Sequence, residues 1–90
     1  SRRALRQLDA ILSYISDESP AGAASVQRRL KEVIDLLEQR PLLGRALKRP
    51  GLRRAVVSPY PYLVFYRASR DGVIILSIRH AARRPMPNLS

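Results

Sequence analysis

Apolar residues follow two different rhythms along this chain. In the opening stretch "SRRALRQLDAILSYIS", Ala4, Leu5, Leu8, Ile11, Leu12 and Ile15 recur at steps of three and four. That spacing predicts one apolar stripe on a helix from about Arg2 to Ser16. The "DESP" that follows breaks it. Ser19 is a favoured N-cap, and Pro20 suits the first helical position, where its missing N–H costs nothing. A second stripe of Ala23, Val26, Leu30, Val33, Ile34 and Leu37 predicts a helix to about Arg40, stopped by Pro41. Two amphipathic helices three or four residues apart form an antiparallel hairpin. The core expected from this hairpin is Leu5, Leu8, Ile11, Ile15, Leu30, Ile34 and Leu37.

After Pro41 the rhythm changes. "PLLGRALKRPG" is a loop by composition, and its Leu42, Leu43 and Leu47 are expected to tuck under the helices. "LRRAVVS", "YLVFYRA" and "VIILSIRH" read as three strands, the last two joined by "SRDG", in which Gly72 is free to take positive φ. Pro59 and Pro61 end one strand and delay the next, because proline lacks a donor and pushes the residue before it toward extended backbone. Tyr60 is thereby held at a sheet end, and Tyr62 and Tyr66 share a face of the following strand. The fold class is α+β: an N-terminal antiparallel helix hairpin packed on a small antiparallel sheet, with residues 1–90 as a single domain. "YLVFY" and "VIIL" are apolar on both faces, whereas a sheet with one solvated face alternates. One face packs on the helices; the other calls for a partner as its cover.

Ninety residues bury only about 60–65% of the unfolded chain's surface, so the margin of stability is small. With no cysteine and a single histidine, His80, disulfides, thiolate metal sites and multi-histidine sites are excluded, and no metal or cofactor is expected. No apolar run approaches the ~20 residues of a membrane span, which makes the cytoplasm the expected compartment and a membrane partner unexpected. Charge changes the picture more. Residues 1–39 carry six basic and six acidic side chains, whereas residues 40–90 carry eleven basic ones against Asp71 alone. The net +10 therefore lies entirely in the second half. Fifteen of the seventeen basic residues are arginine, whose planar fork suits carboxylate and phosphate. A basic half of this kind implies an acidic partner, either an acidic protein segment or, secondarily, nucleic acid bound directly.

Three segments in this order are specific: "GR" at Gly44–Arg45, "YPYLVFYR" at Tyr60–Arg67 and "RHAARRP" at Arg79–Pro85. With the two helices ahead of them, they make residues 4–85 resemble the ParE branch of the ParE/RelE toxin superfamily, the toxin half of bacterial type II toxin–antitoxin pairs. Members of that family usually begin with a short strand ahead of the first helix. This sequence starts at what looks like the helix cap, and without such a strand the sheet would keep a bare edge.

The resemblance implies two possible activities. ParE-like members poison DNA gyrase; RelE-like members cut mRNA on the ribosome, positioning phosphate with basic residues. For the second activity the candidates are Arg53, Arg79 and His80, the imidazole being suited to acid–base work near neutral pH. Ribonuclease members generally carry a tyrosine or another polar catalytic group just after the last strand, and "AARRPMPNLS" has no tyrosine. The resemblance therefore favours a gyrase poison without catalytic residues, neutralised by a cognate acidic antitoxin that folds onto it. The residues expected to meet partners are Arg53, Arg54, Tyr60, Tyr62, Tyr66, Arg67, Arg79 and Arg83.

Overall fold

A computed structural model describes residues 1–82. Helix α1 spans Arg2–Glu18 and helix α2 spans Pro20–Gln39. Ser1 caps the first, its Oγ accepting from the Ala4 N–H at 3.1 Å. The link between the helices is Ser19 alone, shorter than the three or four residues expected. Its N–H donates to the Ile15 carbonyl (2.8 Å), closing α1, while its Oγ accepts from the Gly22 N–H (2.9 Å), opening α2. One extended residue thus satisfies orphan groups of both helices.

Four strands follow: β1 (Arg45–Ala46), β2 (Leu52–Val56), β3 (Tyr62–Ser69) and β4 (Gly72–His80). They form one antiparallel sheet in chain order, so the architecture is the α+β arrangement expected from the sequence. The two-residue β1 lies inside the segment read as loop. Gly72 takes positive φ, as its turn requires. The chain between β2 and β3 turns at Ser58–Pro61, where the Tyr60 N–H donates to the Val57 carbonyl. Arg29 of α2 reaches across to donate from Nε to the Ser58 carbonyl at 2.7 Å, tying this turn to the helices.

The core lies between the hairpin and one face of the sheet. Leu30, Val33 and Leu37 of α2 meet Val57, Val64, Tyr66 and Ile78, with Ala4 brought in from α1. Leu8, Ile11 and Ile34 are partly buried against this cluster. Leu5 is 63% exposed, contrary to the expected core. The narrow stripe that meets the sheet runs through Ala4, Leu8 and Ile11, and Leu5 is about 100° round the helix from Ala4. Strand β4 carries a bulge: Phe65 pairs with Ser77 and Tyr66 with Ile75, which leaves Leu76 without an opposite number. The extra residue reverses the alternation, so Ile75 and Ile78, an odd number of residues apart, both face the helices.

The 40–46 segment is fixed by its backbone. Tyr66 is fully buried, and its hydroxyl accepts from the Gly44 N–H (2.9 Å) and donates to the Pro41 carbonyl (2.8 Å). Beside it, Arg53 Nη1 donates to the Leu42 and Gly44 carbonyls at 3.1 and 2.7 Å. With backbone turned inward, Leu42 and Leu43 point out and are 70% and 50% exposed, rather than tucked under the helices. Leu47 is half-buried. Any Cβ at position 44 would stand 2.6 Å from the Tyr66 hydroxyl and 2.8 Å from the Arg54 carbonyl, so only glycine fits.

The free edge of β4 is partly closed by α1. The Ser1 amino group donates to the Ile75 carbonyl, the Ser1 Oγ to the Leu76 carbonyl, and the Ile78 N–H donates to Gln7 Oε1 at 2.8 Å. At these positions the edge of β4 is met by Ser1 and Gln7.

Tyr66→Phe should leave the buried Gly44 N–H and Pro41 carbonyl unsatisfied, lowering stability by about 1–3 kcal/mol in urea unfolding. Gly44→Ala should lower it as well, through the clash rather than the lost bond. A Tyr66→Phe variant as stable as the parent would refute this account of the segment.

Candidate functional site

Paired residues on neighbouring strands share a face, so the register sorts every candidate. Arg53 pairs with Tyr66, Ala55 with Val64, Tyr62 with His80 and Val64 with Ile78, and these residues face the helices. Arg45 pairs with Arg54, Arg54 with Phe65, Phe65 with Ser77, Leu52 with Arg67, Arg67 with Ile74, Val56 with Leu63 and Leu63 with Arg79, and these occupy the outer face.

The outer face is basic and apolar together. Arg45, Arg54, Arg67 and Arg79 stand on it, and no Asp or Glu occurs in any strand. Leu52 and Phe65 are buried there, outside the helix-side cluster, while Val56 and Ile74 are 55% and 51% exposed. The Ser77 hydroxyl, opposite Phe65, is buried and without a hydrogen-bond partner among the described residues. Arg45 and Arg54 are direct cross-strand neighbours, a like-charge pairing that disfavours the free sheet and favours an anion laid across both.

Of the residues expected to meet partners, this face unites Arg54, Arg67 and Arg79. Tyr60 sits half-buried in the turn, and Tyr62 faces the helix side, half-buried, its ring edge-on to His80 with centroids 5.4 Å apart. Two expectations are corrected. Tyr66 has no accessible surface, and its hydroxyl is spent on Gly44 and Pro41, so it builds the fold and presents nothing outward. Arg53 belongs to the helix side and is engaged with loop carbonyls. Arg83 lies outside the described residues. Arg45, Val56 and Ile74 were not foreseen as site residues. The pairing of β1 with β2 is what reveals Arg45, because two residues give no strand rhythm.

The three residues considered for acid–base chemistry do not converge. Arg79 and His80 both line a groove between α1 and the end of β4, and Arg53 does not. His80 pairs with Tyr62 and Arg53 with Tyr66, four positions along β3 and so about 13 Å apart in the strand direction. His80 Nδ1 accepts from the Ala82 N–H at 3.0 Å, so the neutral ring carries its proton on Nε2. Among the described residues no group of His, Cys, Asp or Glu could hold a metal ion, and no helix is long and apolar enough to cross a membrane.

Comparison with known proteins gives concordant matches. The family model for the ParE toxin of the type II toxin–antitoxin system parDE matches residues 1–85. The chain is 42% identical over 79 residues to Y4kP of Sinorhizobium fredii, a protein named as a toxin, covering 88% of this chain and 81% of the relative. It is 44% identical over 81 residues to a protein of Caulobacter vibrioides named Toxin RelE2, covering 90% of each.

Replacing Arg45 with Gln should relieve the repulsion with Arg54. In urea unfolding at low salt the variant should gain a few tenths of a kcal/mol, and the gain should fade near ~1 M salt, where the Debye length is only ~3 Å. A gain that persists at high salt would assign the effect to something other than charge.

Proposed function

The chain belongs to the ParE toxin family of type II toxin–antitoxin systems, and from that premise we propose that it acts by binding DNA gyrase, not by cutting RNA, and is silenced by an acidic antitoxin laid on the outer face of its sheet. On this reading residues 1–90 work as one domain in the cytoplasm. The observation that supports the first half is the separation of Arg53, about 13 Å along the strands, from Arg79 and His80 at the end of β4. Ribonuclease chemistry needs a base and cationic donors around one phosphate. With its Nδ1 lone pair committed to Ala82, His80 offers a donor at Nε2 where a base would need an acceptor. Arg53 is spent on the loop carbonyls. A protein that acts by occupying a target requires no such constellation.

The antitoxin half rests on the outer face. Four arginines without a strand carboxylate suit an acidic segment, and Val56 and Ile74 provide apolar anchors between them. A segment that orders on binding loses conformational entropy and needs both kinds of contact. Charge governs how fast such a partner arrives, and the apolar anchors govern how slowly it leaves. Ribosome-dependent RNA cleavage is the second reading, favoured by the name of the Caulobacter relative.

Purified protein should inhibit gyrase supercoiling or trap cleaved DNA, and His80→Ala should retain that effect. Ribosome-dependent transcript cleavage that His80→Ala abolishes would reverse the assignment. For the antitoxin, Arg54→Glu with Arg67→Glu should weaken binding more than tenfold, or about 1.4 kcal/mol. Undiminished affinity in that double variant, shown to be folded, would place the interface elsewhere.

A further inference from the structure

The link from α2 to β1 displays two large apolar side chains that a small fold has reason to bury. Leu42 and Leu43 are 70% and 50% exposed, and Leu36, one turn back along α2, is 41% exposed. A loop free to rearrange would turn such side chains inward and gain their burial. This one is not free. Every residue from Arg40 to Gly44 has a bonded backbone group. The Arg40 N–H donates to the Leu36 carbonyl and the Leu43 N–H to the Arg40 carbonyl. The Tyr66 hydroxyl donates to the Pro41 carbonyl and accepts from the Gly44 N–H, and Arg53 donates to the Leu42 and Gly44 carbonyls. The leucines therefore stand on a rigid knuckle.

An apolar group already fixed in place loses little freedom when a partner docks on it. An apolar centre inside a polar rim is also the anatomy of a protein interface. The rim here has one sign. Arg40, Arg45, Lys48 and Arg49 are all exposed, and no Asp or Glu occurs from Gln39 to Arg70. Two copies of this surface would bring those cations together, so charge argues against a second copy and for an acidic partner. Continuity identifies which one. Arg45 pairs with Arg54 on the outer face and is separated from Leu43 by Gly44 alone. Strand β1 is the last of the sheet on that side, so a segment that leaves the outer face across β1 meets the leucines next.

We infer that the acidic antitoxin ends its path across the sheet on this knuckle, with apolar side chains packed on Leu42 and Leu43 and carboxylates on Arg40 and Arg45. The inference rests on the outer-face reading of the antitoxin and adds an apolar anchor at the opposite edge of the sheet from Ile74.

The test uses the full chain co-expressed with its cognate antitoxin, the two separated in denaturant, refolded and titrated against each other. Leu42→Ser with Leu43→Ser removes the anchor and keeps the backbone bonds, so the urea midpoint should match the parent's. Antitoxin affinity should fall at least tenfold, through faster dissociation, at low and high salt alike. Where the pair variant loses stability, Leu42→Ser alone should still weaken binding at least threefold. Leu5→Ser, at a comparably exposed leucine of α1, should change affinity less than twofold. Arg54→Glu with Arg67→Glu reports separately on the outer face. Weakening by both the leucine and the arginine variants supports the whole path. Weakening by the arginine variant alone overturns the knuckle and leaves the outer face standing. Weakening by the leucine variant alone supports the knuckle and removes the outer face. Weakening by neither, or no antitoxin recovered with the chain, overturns both. A leucine variant that binds antitoxin as the parent does but no longer inhibits gyrase would give the knuckle to the target. A parent that sediments as a dimer, with the leucine variant a monomer, would give it to a second copy. Either result overturns the inference.

Discussion

The Tyr66 hydroxyl is the contact on which most of this molecule's geometry depends. It belongs to a side chain with no accessible surface, and it is satisfied by two backbone groups more than twenty residues away in sequence. A buried hydroxyl without partners would cost a few kcal/mol. The same pair of bonds fixes the chain where it leaves α2, and so determines where Arg45 begins β1. Arg53 reinforces the arrangement from the neighbouring strand by gripping two more carbonyls of the same segment. Gly44 is the counterpart of this packing, since the ring and the Arg54 carbonyl leave no room for a side chain. The "LGR" of the sequence is thus one device: the glycine admits the tyrosine, and the tyrosine sets the arginine opposite Arg54.

Much of the architecture was legible in the sequence because its periods are clean. The three- and four-residue steps marked both helices, and Ser19–Pro20 marked the break, though not that a single residue could cap both ends. The proline-bracketed Tyr60 marked the turn, and Gly72 marked the hairpin. What stayed hidden has identifiable causes. Strand alternation cannot announce a bulge, so the unpaired Leu76 reverses the sidedness of β4 with no local signal. Leu42 and Leu43 look like core by composition, yet the bonds to Pro41, Leu42 and Gly44 orient the backbone and turn those side chains out. Tyr66 looked like a surface aromatic because sequence does not distinguish a hydroxyl with buried partners from one facing water.

The candidate site was legible only in part, because it is a property of pairing. Arg54, Arg67 and Arg79 are dispersed along the chain and meet only when the strands are laid side by side. Arg53, adjacent to Arg54, goes to the other face and to a structural task, since neighbours on a strand point in opposite directions. Two arginines in "LRRAVVS" therefore have opposite roles, one holding the fold together and the other charging the surface.

Strand order follows chain order, so most of this fold can assemble from neighbours in sequence, with short loops and little entropy lost in closing them. The exception is the seal between α1 and the edge of β4. Ser1 reaches Ile75 and Leu76, and Gln7 reaches Ile78, across more than seventy residues. Those bonds cannot exist until the last strand has been synthesised and has left the ribosome. Every nascent chain therefore passes through a stage in which its helix hairpin and first strands are made but the edge at β4 is not. The order of synthesis thus makes the α1–β4 seal the last of the described contacts to form, after the helix hairpin and the first three strands are already in being.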